Sequence, residues 1–402
     1  MKPANHDDYK RFTSALNLST QATDYLTLRG GVRYADGTKR NPNSLNTAAF
    51  TADPWLYMYR WSRLFPIGVQ EQGADIIDPA FSARMSNDQI RNEKFLNLNI
   101  GATLKITNAW DLQADYSHST QNNLTTASVP YVQGRTHWYG VEALKDTNGQ
   151  VYVDENGNVT DSGGMMAYRF PLTDHTLKSD TYFSQNNYRS ARNTVNILSN
   201  YNLILGDHNL KFLAGTNIVS FDYSSQFSKI GNLLNNDNPQ YEFVVGTKDA
   251  NGSANWDSQV GVFGRVNYSY KDKYLLEGTL RRDATSKFPT HLRWRNYPGV
   301  SGGWVLSNES FMEGLNPVLN FAKFRASWGN IGDQSVSNSL YLPTMGIVNN
   351  SWLSSGGLPY YQLGTPVPVD RNIGWQNIEH INLGADFRFF NKRSIQINGL
   401  FG

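Results

Sequence analysis

From Phe12 onward, hydrophobic and polar side chains alternate in twelve stretches whose connections run short, long, short, long to the end of the chain. Short connections are predicted at 20–25, 108–109, 206–209, 271–273, 308–318 and 391–393, and long ones at 35–94, 119–193, 224–257, 284–298 and 330–379. The clearest stretch is FLNLNIGATLKIT. Leu96, Leu98, Ile100, Ala102, Leu104 and Ile106 fall on one face, and Asn97, Asn99, Gly101, Thr103 and Lys105 on the other, which is the period of a strand. Two turn residues later, Trp110, Leu112, Ala114 and Tyr116 alternate with Asp111, Gln113, Asp115 and Ser117, predicting a hairpin. The same alternation returns around Val260–Tyr270, Tyr274–Leu280 and Ile381–Phe389. Strands joined by tight turns at one end and long loops at the other are the pattern of a transmembrane barrel; a soluble sandwich has no reason to keep it.

Most of these segments reach the roughly 9–11 residues that a tilted strand needs to cross a bilayer. The polar faces hold Arg, Lys, Asp and Asn, which a dry core tolerates poorly and a wet or plugged lumen accepts. The 52 aromatic residues (10 Trp, 22 Tyr, 20 Phe) include Trp110, Tyr268, Tyr270, Tyr274 and Phe389 at segment ends, where interfacial girdles belong. At 402 residues the chain is long for one soluble core, but a barrel grows by adding hairpins. Hydrophobic residues make up 39% of it, which argues against disorder. With 36 basic and 34 acidic side chains the formal charge is +2 and no basic block stands out, so nucleic acid is a poor partner. The absence of cysteine removes disulfides and thiolate metal sites. No run of 18 apolar residues predicts a membrane helix, and the opening MKPANHDDYK has no apolar signal core.

Candidate chemistry is sparse. Gly299-Val300-Ser301-Gly302-Gly303 fits the spacing of a nucleophile elbow, but that motif needs a strand leading into a helix, and Trp304-Val305-Leu306 continues a strand pattern. The seven histidines show no metal-binding spacing. Asp154, Asn156, Asn158 and Asp161 have the look of a calcium loop without the closing Glu. The two Asn-Gly pairs at 148–149 and 156–157 instead predict a small hairpin tip. Arg281, Arg282 and Asp283 suggest a charged rim network, with a structural ion pair as the plainer expectation. Loop aromatics are the candidate ligand contacts: Trp55, Tyr57, Tyr59 and Trp61 alternate in PWLYMYRW, Trp138 and Tyr139 follow, and Trp352, Tyr360 and Tyr361 sit in the last long loop. Flat rings flanked by polar groups suit stacking on sugars or gripping peptides, and equally suit loop packing.

Beyond pattern, the wording VGVFGRVNYSYKDKYLLEGTLRRDATSKF, then RWRNYPGVSGGWVLSNESFM, then FAKFRASWGNIGDQSV resembles the barrel of the SusC/RagA family of TonB-linked outer-membrane transporters of Bacteroidetes. Tyr268, Tyr270, Lys273, Tyr274, Arg281, Arg282, Asp283, Ser286, Phe288, Arg293, Trp294, Gly303, Trp304, Glu309, Arg325, Ser327, Gly329 and Gly332 stand where that family has them. The resemblance is densest over 258–332, thinner over 200–221 and 366–402, and weak before 190. Ala284 departs from an expected Gly, and 366–378 keeps only Trp375-Gln376-Asn377 of the family wording. The resemblance implies an all-β, antiparallel transmembrane barrel of roughly 22 strands around a plug, of which residues 1–402 supply one region of about twelve. Signal peptide, carboxypeptidase-like extension, TonB box and plug are missing from it. It further implies the barrel portion of a TonB-dependent importer of oligosaccharides or peptides in the outer membrane, working with a SusD-like lipoprotein. A TonB complex would act through the missing plug, with no enzyme activity and no cofactor. The alternatives are a soluble secreted β-rich glycan-binding protein, which would leave the cell without detergent, and an outer-membrane enzyme, which needs an acid, base or nucleophile set that the sequence does not offer.

Overall fold

The computed structural model describes residues 7–43, 45, 54–65, 76–160, 168–315, 317–353, 359–390 and 393–401. The period-two stretches pair in chain order into one antiparallel sheet of twelve strands among the described residues. They are β1 (Asp8–Thr23), β2 (Leu26–Pro42), β3 (Asp88–Thr107), β4 (Trp110–Val129), β5 (Tyr182–Leu205) and β6 (His208–Gly231). They continue with β7 (Lys248–Tyr270), β8 (Tyr274–Thr285), β9 (Trp294–Val305), β10 (Leu319–Asp333), β11 (Gln376–Phe389) and β12 (Arg393–Phe401). All connections are of neighbour to neighbour, an up-and-down wall. The architecture is a partial antiparallel β-barrel, as the alternation predicts.

Register turns the patterning of single strands into rows that cross the wall. Trp110, Tyr201, Phe212, Val266, Gly278, Val300, Trp328 and Ile381 pair successively from β4 to β11 on one face. Arg29, Gly101, Asp115, Asn196, Asn217, Gly261, Asp283 and Arg295 pair successively from β2 to β9 on the other. A one-residue slip anywhere would mix the two. The apolar rows are not packed against anything: Ile100 is 63% exposed, Leu276 56% and Leu383 52%. Buried hydrophobic residues cluster elsewhere, in the long-loop cap, where Leu45, Phe81, Val129 and Val132 pack together. Leaving a side chain such as Leu or Ile in water forgoes about 1.5–3 kcal/mol each, and a contiguous band of them is an aggregation hazard. Lipid removes the penalty, so the apolar face is the bilayer face and the polar face lines the lumen. The same band tells against a soluble secreted protein.

The two ends differ as expected, with one correction. Tight turns occupy 24–25, 108–109, 206–207 and 271–273, three residues separate Phe389 from Arg393, and a longer connection spans 306–318. Gly206 takes φ 59° and Lys271 and Asp272 take φ 50° and 54°, the left-handed backbone that short hairpin turns demand. The long connections are shorter than the alternation predicts, because strands run on into them: 119–193 narrows to 130–181 and 224–257 to 232–247. β5 and β6 reach 24 residues each, far beyond what crossing requires. On their outer halves the face that is apolar lower down turns largely polar, with Gln185, Asn187, Arg189, Asn193, Ser220, Asp222, Ser224 and Gln226, as water there permits, so the ladder persists where the period-two contrast fades. The predicted hairpin tip is also two turns: Asp146 accepts the backbone N–H groups of Asn148 and Gln150, and Asp154 those of Asn156 and Asn158. Gly149 and Gly157 hold positive φ at the two tips.

On the lumen face the polar rows are stitched across alternate strands. Arg29 on β2 reaches Asp115 on β4 at 2.9 Å and Thr103 at 2.6 Å, passing over Gly101 on β3. Any side chain there would collide with the Asp115 carboxylate. Gly30, one strand away on the bilayer face, has open space where a side chain would stand. In the complete detergent-solubilised protein, Gly101→Val should therefore lower unfolding stability by about 1–3 kcal/mol, whereas Gly30→Val should change it by less than about 0.5 kcal/mol. Denaturant unfolding followed by the mobility shift of the folded barrel reads both, and equal effects would contradict the assigned faces.

Candidate functional site

Three long loops fold into one cap. A short helix at Pro79–Met85 starts with Pro79, and its N-cap Asp78 accepts the Phe81 N–H at 2.6 Å. That seats Phe81, 2% exposed, against Val129 and Val132. The backbones of 76–77 and 135 then pair, tying loop 43–87 to loop 130–181. Arg135 donates to the Phe170 carbonyl at 2.6 Å, and Glu142 takes Arg169 at 2.8 Å. Asn236 joins the third loop: its carbonyl accepts from Asn87, and its side chain exchanges hydrogen bonds with the Tyr131 backbone.

On this cap the candidate aromatics sort themselves. PWLYMYRW is a helix over Pro54–Arg60 and not the extended run its alternation suggests. Tyr57 and Trp61, four residues apart, lie on one side of it, 5.5 Å centroid to centroid. Trp61 meets Phe65 at 5.3 Å and His137 at 5.4 Å, and Trp138 meets Phe65 at 5.2 Å and His137 at 4.5 Å. Phe170 closes the group, 6.3 Å from His137. Of the predicted contacts, Tyr57, Trp61 and Trp138 come together. Tyr59 and Tyr139 stand 87% and 77% exposed beside the cluster, and Tyr361 lies on a separate hairpin of Ile347–Leu353 with Pro359–Leu363. The side chains of Trp55, Trp352 and Tyr360 lie outside the described residues. Phe65, His137 and Phe170 were not legible: Phe65 continues the four-residue spacing of Tyr57 and Trp61 only once that segment is read as helical, and His137 and Phe170 join through contacts between loops. Both His137 nitrogens and the Trp61 indole N–H are enclosed without a hydrogen-bond partner among the described residues. Burial holds the His137 imidazole below its ordinary pKa, as it does His175 beside Phe81. Burial, with Asp78 nearby, pushes the Tyr57 hydroxyl up to about 12.

The motif residues occupy the wall and its two rims. Arg281 grips Asp283 at 2.7 Å on the lumen face. Arg282 points to the bilayer face, its guanidinium 5.1 Å over Trp294. The expected three-residue network is therefore an ion pair and a separate cation–ring contact, because neighbours in a strand face opposite ways. At the outer rim Phe288 is fully buried against Trp375 at 5.3 Å. Arg293 donates to the Phe288 carbonyl, and the Trp375 indole to the Arg293 carbonyl at 2.9 Å. This explains why Trp375 persists where the surrounding wording has changed. Gly332 leaves room for the Tyr297 ring, and Gly329 sits beside Gly299 across the ladder. Arg325 pairs with Asp386 at 3.2 Å and also donates to Asn398. At the inner rim Glu309 accepts from Lys273 at 3.0 Å, Tyr274 at 2.8 Å and the Trp304 indole at 3.1 Å. Those donors, Lys273 first, hold its carboxyl below the usual range.

Neither sequence motif with chemical spacing takes up a reactive geometry among the described residues. Ser301 lies mid-strand in β9, which runs on to Val305 and then enters the short 3-10 turns Leu306–Asn308 and Ser310–Leu315, not an α-helix opening at the serine, so the elbow geometry is not met. Asp154 uses its oxygens on its own turn, which holds its pKa down. Among the described residues no three His, Asp or Glu side chains gather as a metal site.

No family model matches the chain. TonB-dependent receptor SusC of Bacteroides thetaiotaomicron is 36% identical over 136 residues, 33% of this chain and 13% of that protein. TonB-dependent receptor P39 of Formosa agariphila is 30% identical over 203 residues, 48% of this chain and 18% of that protein. The wall is SusC/RagA-like. Among solved structures, the RagAB peptide transporter superposes with a TM-score of 0.70 at 14% identity over 98% of this chain and 40% of that one, a likeness of fold. The chain matches less than a fifth of the length of these two curated relatives. The cap stands at the long-loop rim of the wall and the Glu309 knot at the short-turn rim.

The cap yields a pH test. Since burial favours neutral His137 and His175, their contribution is complete above the ordinary imidazole pKa of about 6.5 and declines as pH falls below it toward the lowered folded values. Limited proteolysis of loops 43–87 and 130–181 should accelerate between pH 7 and pH 5, and His137→Phe with His175→Phe should flatten that step. A rate independent of pH in the unaltered protein would contradict the assignment.

Proposed function

We propose that the chain is the barrel wall of a longer TonB-dependent outer-membrane importer of oligosaccharides or peptides that works with a SusD-like surface lipoprotein. The observation that carries this reading is the pairing of an exposed apolar face with a polar lumen face in a SusC/RagA-like wall, capped at the long-loop end by a ring cluster. The wall does no bond chemistry. Rings on the cap, with Trp61, Trp138 and His137 at their centre and Tyr59 and Tyr139 exposed beside them, make first contact with the ligand or with the lipoprotein lid, joined by the exposed Tyr361 of its separate hairpin. Backbone and stitched polar rows keep the lumen rigid while an energised inner-membrane complex displaces a plug. Each member's loops set what it admits, since loops tolerate change on a scaffold that does not.

In its host the complete protein should fractionate with the outer membrane, resist extraction without detergent and retain a surface lipoprotein through affinity purification. Recovery in the soluble or cytosolic fraction would refute the reading.

A further inference from the structure

A second set of rings lies away from the cap, inside the lumen. On the outer halves of β5 and β6, Tyr188 and Tyr223 stand 6.0 Å apart with their planes only 27° from parallel. Phe221 follows at 6.1 Å from Tyr223, and the Arg192 guanidinium rests 5.0 Å over the Phe221 ring. Register assigns all four to the lumen face, for they share the parity of Asn196 and Asn217 with no shift along the pairing. The rings are half-buried and Arg192 is exposed. Arg192 has no carboxylate within ion-pair distance among the described residues, unlike Arg29, Arg281 and Arg325 on the same face.

The wall does not need rings here. Its backbone ladder is continuous through these positions, and Ser184, Asn186, Ser190, Thr194, Asn217 and Ser225 on the same lumen face of these two strands are short and polar. A flat plate left half in water gains when another flat apolar surface covers it. Beside the plate, Gln121 and Asn255 occupy the same lumen row as Tyr223, through Ser190 on one side and directly on the other. Rings flanked by amides, hydroxyls and one unpaired guanidinium match a pyranose, whose C–H face stacks while its hydroxyl rim exchanges hydrogen bonds. A line of such rings matches a chain of linked sugars. We infer that Tyr188, Phe221 and Tyr223, with Arg192, form a sugar-stacking strip in the lumen mouth that receives an oligosaccharide below the cap.

The inference rests on the importer reading and narrows its ligand. The complete protein in detergent micelles is titrated calorimetrically with neutral α-1,4-, β-1,4- and β-1,3-linked glucose hexasaccharides and with unmodified heptapeptides, alongside a check that each variant keeps the folded-barrel mobility. At least one hexasaccharide should bind. Tyr188→Ala with Tyr223→Ala should weaken it about tenfold or more, while Tyr188→Phe with Tyr223→Phe, which keeps both ring faces, should stay within about twofold. Unchanged affinity in the alanine variant overturns the strip. Binding of peptides alone, or of no probe, overturns the sugar assignment, and outer-membrane fractionation then decides separately whether the importer reading stands.

Discussion

In hydrocarbon no water is available to a backbone N–H or C=O, and each one left unpaired costs several kcal/mol. Everything else in this wall follows from that requirement. The ladders are neighbour to neighbour from β1 to β12, and irregularities fall beside the short connections, at Gln21/Thr23, Lys105/Thr107 and Leu319/Phe321. Once the backbone is committed in this way, side chains have only two destinations. Apolar ones meet lipid, and polar ones must satisfy each other or water. β1 and β12 each pair on one side only among the described residues, and in a bilayer those edges require partners of their own.

The lumen face meets its requirement by reach. Arg29 crosses Gly101 to Asp115, and Arg325 crosses Gly384 to Asn398, so a glycine on the middle strand lets long side chains tie strands that are not adjacent. The rims use different means. At the short-turn rim one carboxylate, Glu309, gathers an ammonium, a phenol and an indole at the level where interfacial aromatics settle. At the long-loop rim, where water satisfies the backbone, strands lengthen and loops acquire a small dry core around Phe81. The rings of the cap then rest on a structured base, which leaves them little conformational freedom to lose in any contact they make.

The wall was legible because period two is a strong signal whenever the two faces meet different solvents, as at Leu96–Ile106. It faded at Tyr182–Asn193 and Ser224–Gly231, where both faces meet water, and of the lumen strip Tyr188 was hidden inside what reads as loop while Tyr223 closed a predicted strand. Motif wording located Phe288, Trp294 and Trp304 without saying what they touch. Helical spacing, and not the apparent alternation, decides why Trp61 joins the ring cluster while Tyr59 does not. Contacts made at long range, such as Asn236 with Tyr131 or Trp375 with Phe288, leave no local trace for a reader of sequence.

Because the chain contains no cysteine, single cysteines can report the environment of one position at a time. Spin labels placed in turn from 96 to 104 on β3 of the complete protein in lipid vesicles should alternate, with 96, 98, 100, 102 and 104 accessible to oxygen dissolved in lipid and 97, 99, 101 and 103 to an aqueous relaxant. Alternation of the opposite phase, or none at all, would contradict a wall whose apolar rows face the bilayer.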